Sequence, residues 1–406
     1  MNESNWQVEH QCPQCGAPVV LDETYRILSC PYCRTKLYIE AGDRFRYCIP
    51  SSIPNGEIIN LPYWRCKGSF YSFRGFEANH RFLDANMSGL AVAGIPESLG
   101  LRPQAMRMKF VSPELPGRFL PPRLTFPQIM ARINENNVPG GFFHRFIGEI
   151  TSLVYSPFYR KQDVLYDAVT DRPALNVRPP LDEWLRETAE ADTWKVQFVS
   201  TLCPQCGWDL EGDKDALILI CRNCHRAWRC EDAQLKELAF AAIEHPHAVL
   251  YLPFWRLRAR MDGVALDNYA DLIRVANLPK AVTPAFEQKP FYFWLPAFKV
   301  NPLLYLRTAR QMTIYQPEGE MTATFAAGPY HPVNLAEMEA LEGVAVVTAE
   351  IATDKRRLLP VLGDVKVVRE DGLLVYHPFI TKYNELIHAY TGMAMDRNAL
   401  AFGAAL

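Results

Sequence analysis

Two cysteine quartets of identical spacing constrain this chain more than any other feature. Cys12, Cys15, Cys30 and Cys33 recur 191 residues later as Cys203, Cys206, Cys221 and Cys224. Each quartet reads C-x2-C-x14-C-x2-C and opens with the letters CPQCG. A C-x2-C turn carries two thiolates on one side of a tight knuckle. Two knuckles joined by a hairpin close a tetrahedron of sulfur around a metal ion. Gly16 and Gly207 follow the first knuckle, where the backbone is expected in the left-handed region. Tyr25–Ser29 and Ala216–Ile220 read as short strands leading into the second cysteine pair. Four protein thiolates leave no open coordination position, so each centre is expected to hold its hairpin together rather than to perform chemistry. The expected cofactors are two Zn²⁺ per chain. A tetrahedral S₄ site also suits iron, and spacing alone does not separate the two.

The quartets resemble the zinc-ribbon family of Cys₄ modules, over some 12–40 and 196–231 of the chain. More than the cysteines repeats, however. Leu61-Pro62-Tyr63-Trp64-Arg65 falls, at the same offset of 191, on Leu252-Pro253-Phe254-Trp255-Arg256. Leu153-Val154-Tyr155-Ser156-Pro157-Phe158 matches Leu374-Val375-Tyr376-His377-Pro378-Phe379 at an offset of 221, so the second half carries about 30 extra residues in its middle. Thr125-x-x-Gln128 fits a helix capping box, and Asn334-x-x-Glu337 is a looser relative with Asn as the cap. The expected fold class is α+β, mostly β. It comprises two duplicated halves about a pseudo-two-fold axis, each a Cys₄ ribbon followed by an antiparallel-sheet domain with one or two helices. Residues 12–171 and 203–391 are expected to superpose.

The divisions that follow are a tail at 1–11, a ribbon at 12–40 and a β-rich domain at 41–171. A linker with a short helix covers 172–195, with the helix starting at Leu181 and running to about Ala191. A second ribbon at 196–231, a second β-rich domain at 232–396 and a tail at 397–406 complete the chain. Phe254 to Met261 alternates apolar and basic residues, which is the pattern of a half-exposed strand. Gln234–Phe240 is helical by propensity, but its counterpart Asp43–Pro50 alternates and ends in Pro, so both read as strands. Gly343–Ala349 and Asp364–Val368 read as further strands, with Asp371-Gly372 as a hairpin turn. The Pro-aromatic motifs are expected at a sheet edge, a strand start or a bulge, because Pro cannot donate to a ladder. Trp64, Trp255, Tyr155 and Tyr376 are the candidates for an aromatic groove that binds a ligand or partner.

Charge weighs against nucleic acid. The formal net charge is −2, and each Zn(Cys)₄ centre adds about −2 more. There is no run of five or six basic residues, although ribbons in transcription and replication proteins make a nucleic-acid module the natural alternative. None of the common catalytic motifs for phosphate loops, zinc proteases, serine hydrolases or dinucleotide folds occurs, so no catalytic residue is nominated and an enzyme of unrecognised type is the second alternative. Cys48, Cys66 and Cys230 read as free thiols, and the knuckle cysteines suit a reducing, cytoplasmic setting. No stretch approaches a membrane span. The expected function is a non-enzymatic scaffold or adaptor whose partner is another protein.

Overall fold

A computed structural model describes residues 6–53, 57–74, 77–100, 102–137, 143–179, 181–186 and 194–403. The fold is mostly β. Each cysteine module is built from short antiparallel strands. In the first, Gln7–Gln11 pairs with Pro18–Asp22, and Ile27–Ser29 pairs with Lys36–Glu40. In the second, Ile218–Cys221, Arg226–Glu231 and Gln234–Leu238 form a three-stranded meander. The two modules are fused. The strand entering the second module, Gln197–Ser200, pairs with Lys36–Glu40 and extends the sheet of the first. The amides of Arg26 and Ile27 both donate to the Lys214 carbonyl, at 2.6 and 2.9 Å. Ile27 and Tyr38 from one module pack with Leu210, Leu219 and Trp228 from the other.

Two long antiparallel pairs carry the rest of the chain. Ile58–Arg74 runs against Phe143–Lys161, and Leu250–Met261 against Val367–Lys382. The neighbours of the two pairs correspond. Arg46–Cys48 lies parallel to Leu153–Tyr155, and Phe240–Ala242 lies parallel to Leu374–Tyr376. Val164–Asp167 and Glu385–His388 fold back on the strand ends. The Trp64 indole N–H donates to the Leu124 carbonyl at 2.8 Å, and that of Trp255 to the Leu335 carbonyl at 2.9 Å. Each pair has one bulge, which leaves Glu149 unpaired in the first sheet and Glu370 unpaired in the second.

Four of the prolines sit inside these long strands rather than at edges. Pro62, Pro253 and Pro378 each face a tyrosine across the ladder (Tyr155, Tyr376 and Tyr251), while Pro157 faces Asn60. On its other side each proline falls where one neighbouring strand ends and the next begins. Pro157, for example, lies between the pairing of Leu153–Tyr155 and that of Phe158–Lys161. A missing N–H costs nothing at such a seam. The free carbonyls are used: those of Pro62, Pro157, Pro253 and Pro378 accept from Gly89, Ala168, Ala297 and Ala389, at 2.8 to 3.0 Å.

Several expectations are corrected. Gly343–Ala349 is helical, part of the helix Glu337–Ile351. Its residues from Val344 to Ala349 are all buried, so it lacks the one-sided pattern by which a surface helix is read. Asn334 does not cap it. The residue before the helix is Ala336, and the Asn334 side chain accepts from the Lys299 amide at 2.8 Å and donates to Asp215 at 2.7 Å. Thr125 does begin the helix Phe126–Asn137, and its amide donates to Gln128 Oε1 at 2.8 Å. Asp371-Gly372 is not a turn but lies within the strand Val367–Lys382, and Asp364 closes the helix Lys355–Asp364. The tail at 1–11 contains the strand Gln7–Gln11, and the tail at 397–406 the helix Arg397–Gly403. Arg172–Asn176, read as linker, is a strand of the first sheet. The short helix is Leu181–Trp184, and the part expected at 187–191 lies outside the described residues, as do residues 1–5 and 404–406. Gln234–Leu238 and Phe240–Ile243 are strands as expected.

One buried pair makes the second sheet acid-sensitive. His377 and His388 are fully buried, with Nδ1 of the first 2.9 Å from Nε2 of the second. His388 Nδ1 accepts from the Tyr390 and Thr391 amides, at 3.3 and 3.1 Å, so the His388 proton is assigned to Nε2 and donates to His377. His377 Nε2 has no partner and is hemmed in by Trp294 and Phe254. Burial holds His377 well below the usual imidazole range and pulls His388 down to about 4. A folded value below the unfolded one gives stability that is complete above pH ~6.5 and is lost as pH falls toward 4. Between pH ~7.5 and ~5.5 the wild-type protein should lose about 1.4 kcal/mol more than a His388→Asn variant, measured by urea unfolding. Equal losses would refute the assignment.

Candidate metal centres

Local sequence explains how each quartet converges. In the first module, Gly16 takes φ 73° and its amide donates to the Cys12 carbonyl at 2.8 Å, while the Cys12 amide donates to Ala17 at 2.8 Å. The second knuckle repeats this with Arg34, at φ 61°, donating to Cys30 at 3.0 Å. In the second module Gly207 (φ 74°) and His225 (φ 53°) hold the same places. The expected glycine positions are therefore left-handed, and each second knuckle uses a non-glycine residue for the same turn. His225 is kept there by its ring, whose Nδ1 accepts from the Phe325 amide at 3.1 Å. It takes no part in the cysteine cluster.

The sulfurs of each quartet all lie within 4.8 Å of one another. The shortest approaches are Cys12–Cys33 and Cys15–Cys30, both 3.7 Å, and Cys203–Cys224 at 3.6 Å with Cys206–Cys221 at 3.5 Å. A disulfide would need about 2.05 Å. A tetrahedron of thiolates about 2.3 Å from a central ion has edges of about 3.8 Å, so both quartets fit a tetrahedrally held metal ion. Cys12, Cys30, Cys203 and Cys221 are buried, whereas Cys15 and Cys206 are at the surface. Hydrogen bonds to sulfur favour thiolate. The Thr35 amide and hydroxyl pull Cys33 down to about 6, and the Asn223 side chain with the Trp208 amide does the same for Cys206, whereas burial and the neighbouring sulfurs raise Cys15, Cys221 and Cys224. Were a metal ion held here, these donors would form the outer shell that orients its thiolates.

The remaining cysteines stand apart. Cys48 and Cys66 are buried in the first sheet, and burial raises both thiols to about 12. Cys230 is half-buried and is likewise raised by burial, to about 11.

The four aromatic groove candidates are placed differently from expectation. Trp64, Trp255, Tyr155 and Tyr376 are all buried. The two indoles are fixed by carbonyls of the segments crossing the sheets, and Tyr155 packs against Phe119 and Trp194. These rings build the cores. Tyr376 alone of the four borders a described cleft, of about 470 Å³, where Arg222 lies 4.4 Å from the Tyr330 ring centroid. Besides Tyr315, Tyr383 and Tyr390, the exposed aromatics among the described residues are Tyr32, at 66%, and Trp208, at 60%. These last two each sit at a knuckle, in Cys30-Pro31-Tyr32-Cys33 and Cys206-Gly207-Trp208. A large ring on a turn beside a metal site was the available signal for them.

The arginines near the second module are engaged. Arg222 binds Glu211 and the carbonyls of Ala326 and Gly328. Arg226 pairs with Glu237, and Arg229 with Glu231 and Glu337. Among the described residues no helix is long and apolar enough to cross a membrane. The chain matches no family model, no curated protein and no solved structure.

Proposed function

We propose that this chain is a non-enzymatic scaffold or adaptor of the cytoplasm, stabilised by two Zn²⁺ ions, that binds another protein. The observation that carries the reading is the closure of both quartets. Four protein thiols converge at each, and two of every four are buried, which is the arrangement of a structural rather than a catalytic centre. We also read the halves as copies of one ribbon-and-sheet unit about a pseudo-two-fold axis. The corresponding neighbours of the long strands, the paired indole hydrogen bonds and the two bulged glutamates support this reading.

The partner surface is assigned to the knuckle faces that present Tyr32 and Trp208, because exposed aromatic rings are the side chains that most often anchor protein interfaces. A nucleic-acid role is less well supported, since the nearby arginines already have acidic or carbonyl partners and the net charge is −2. The test compares affinity capture by the wild-type chain with capture by Tyr32→Ala/Trp208→Ala. The double variant should keep its metal and change stability by no more than about 0.5 kcal/mol per site, yet lose a partner that the wild type retains. Equal capture by both, or retention on heparin at about 50 mM salt, would contradict the proposal.

A further inference from the structure

A half-open chamber of about 360 Å³ lies where the two cysteine modules meet the two sheets. The first module contributes Arg26 and Tyr38, the second Asp215, the first sheet Glu149, and the second half Lys299 and Glu339. At that volume it lies at the small end of the ~300–1,000 Å³ usual for ligand pockets. The exposed turn residues Gly42 and Asp43 form one rim.

Two groups of opposite charge, Glu149 and Lys299, line this space and feel each other's field without closing into an ion pair. Lys299 is only 8% exposed. Glu149 Oε2 is buried and has no hydrogen-bond partner. Among the described residues neither side chain has an ion-pair partner within 4.0 Å. Buried charges are normally paired, because leaving one unpaired costs several kcal/mol. The Glu149 carboxyl is raised by burial, and Lys299 is the larger of the two positive charges opposing that rise, ahead of Lys67. The bulge sends Glu149 out of the ladder, and such bulges re-aim side chains beside functional sites. The second sheet supplies the contrast. Its bulged residue, Glu370, is at the surface and is paired with Arg258 at 3.2 Å. Glu339 is committed as well, since its Oε2 accepts from the Gly148 amide at 2.8 Å.

A metal ion is not what these groups fit. Among the described residues, only the cysteines bring three or more ligand atoms together, and an ammonium would repel a cation. We propose that the chamber binds a small zwitterion, a free amino acid, with its ammonium on Glu149 and its carboxylate on Lys299. Each ligand charge then meets a side chain of opposite charge that makes no ion pair within 4.0 Å, and Arg26, Tyr38 and Asp215 line the space left for the side chain. This inference is independent of the partner-binding role, because the chamber is remote in kind from the exposed knuckle rings and its test does not involve a protein partner.

The experiment is thermal unfolding of the metal-loaded full chain against the free L-amino acids, with propylamine and propionate as probes carrying one charge each. At least one amino acid should raise Tm saturably, and the single-charge probes should not at equal concentration. Lys299→Met and Glu149→Gln should each weaken that binding by about tenfold or more, while Glu370→Gln should leave it unchanged. The wild-type comparison stands even if a chamber variant folds poorly. No Tm shift with any amino acid up to about 10 mM, an equal shift with propylamine or propionate, or unchanged affinity in both chamber variants would overturn the proposal and leave the space to on the order of ten waters.

Discussion

Replacing Cys221 with serine should remove the second metal and loosen the first module as well. Cys221 is fully buried in the cluster that joins the modules, where Ile27 and Tyr38 of the first pack with Leu219 and Trp228 of the second. Isolated zinc-finger peptides draw about 10–16 kcal/mol from their metal, comparable to the whole stability of a typical protein. Losing one site should therefore cost several kcal/mol, and the loss should spread through the strand pairing of Gln197–Ser200 with Lys36–Glu40. Amide exchange should rise in both modules, not in the second alone. Cys48→Ala is the control: that thiol is buried but outside either quartet, so it should cost about 1 kcal/mol and leave both metals bound. Exchange confined to residues 196–231 would show that the modules are energetically separate.

Glu23→Gln should destabilise the protein by up to about 3–5 kcal/mol, because it leaves a buried arginine with the partly exposed Asp84 as its remaining counter-charge. Glu23 lies between the two knuckles of the first module, and Arg65 lies in the long strand Ile58–Arg74. Both side chains are fully buried, with Arg65 Nη2 2.9 Å from Glu23 Oε1. Arg65 also pairs with Asp84 and stacks 4.0 Å from the Trp6 ring centroid. This cluster ties the first module to the first sheet. The variant Glu23→Gln/Arg65→Met removes both charges and should recover most of the loss, since a buried ion pair is often replaced by apolar groups at little cost. Urea unfolding of the three proteins measures it. A double variant no more stable than Glu23→Gln would mean that the loss comes from packing rather than from the stranded charge.

Sequence carried the parts of this fold that depend on local chemistry. Cysteine spacing located both centres, because a knuckle is a short-range device whose ligands are fixed by two intervening residues. The Pro-aromatic blocks located the long strands, although the reason for the prolines, a seam between neighbouring strands, is visible only once the neighbours are known. The helix Glu337–Ile351 was illegible because it is apolar on nearly every side, so Val344–Thr348 looks like a buried strand. Asp371-Gly372 has turn chemistry but adjoins a bulge, where the extra residue Glu370 takes up the irregularity within one strand. Trp64 and Trp255 were read as equivalent residues and nominated for a groove, and both rings are buried, since sequence does not say which face of a sheet is covered. The chamber was beyond reach altogether. Glu149, Lys299 and Asp215 are brought together from three separate parts of the chain by packing alone.

The central claim is that the two quartets are structural metal sites that hold the fold together. Native mass spectrometry of the purified full chain, with elemental analysis of the same sample, tests it most directly. The account predicts two zinc ions per chain, retained at neutral pH, with cooperative unfolding when a chelator strips them. One ion or none, iron in place of zinc, or a metal-free chain that keeps its full stability would contradict it.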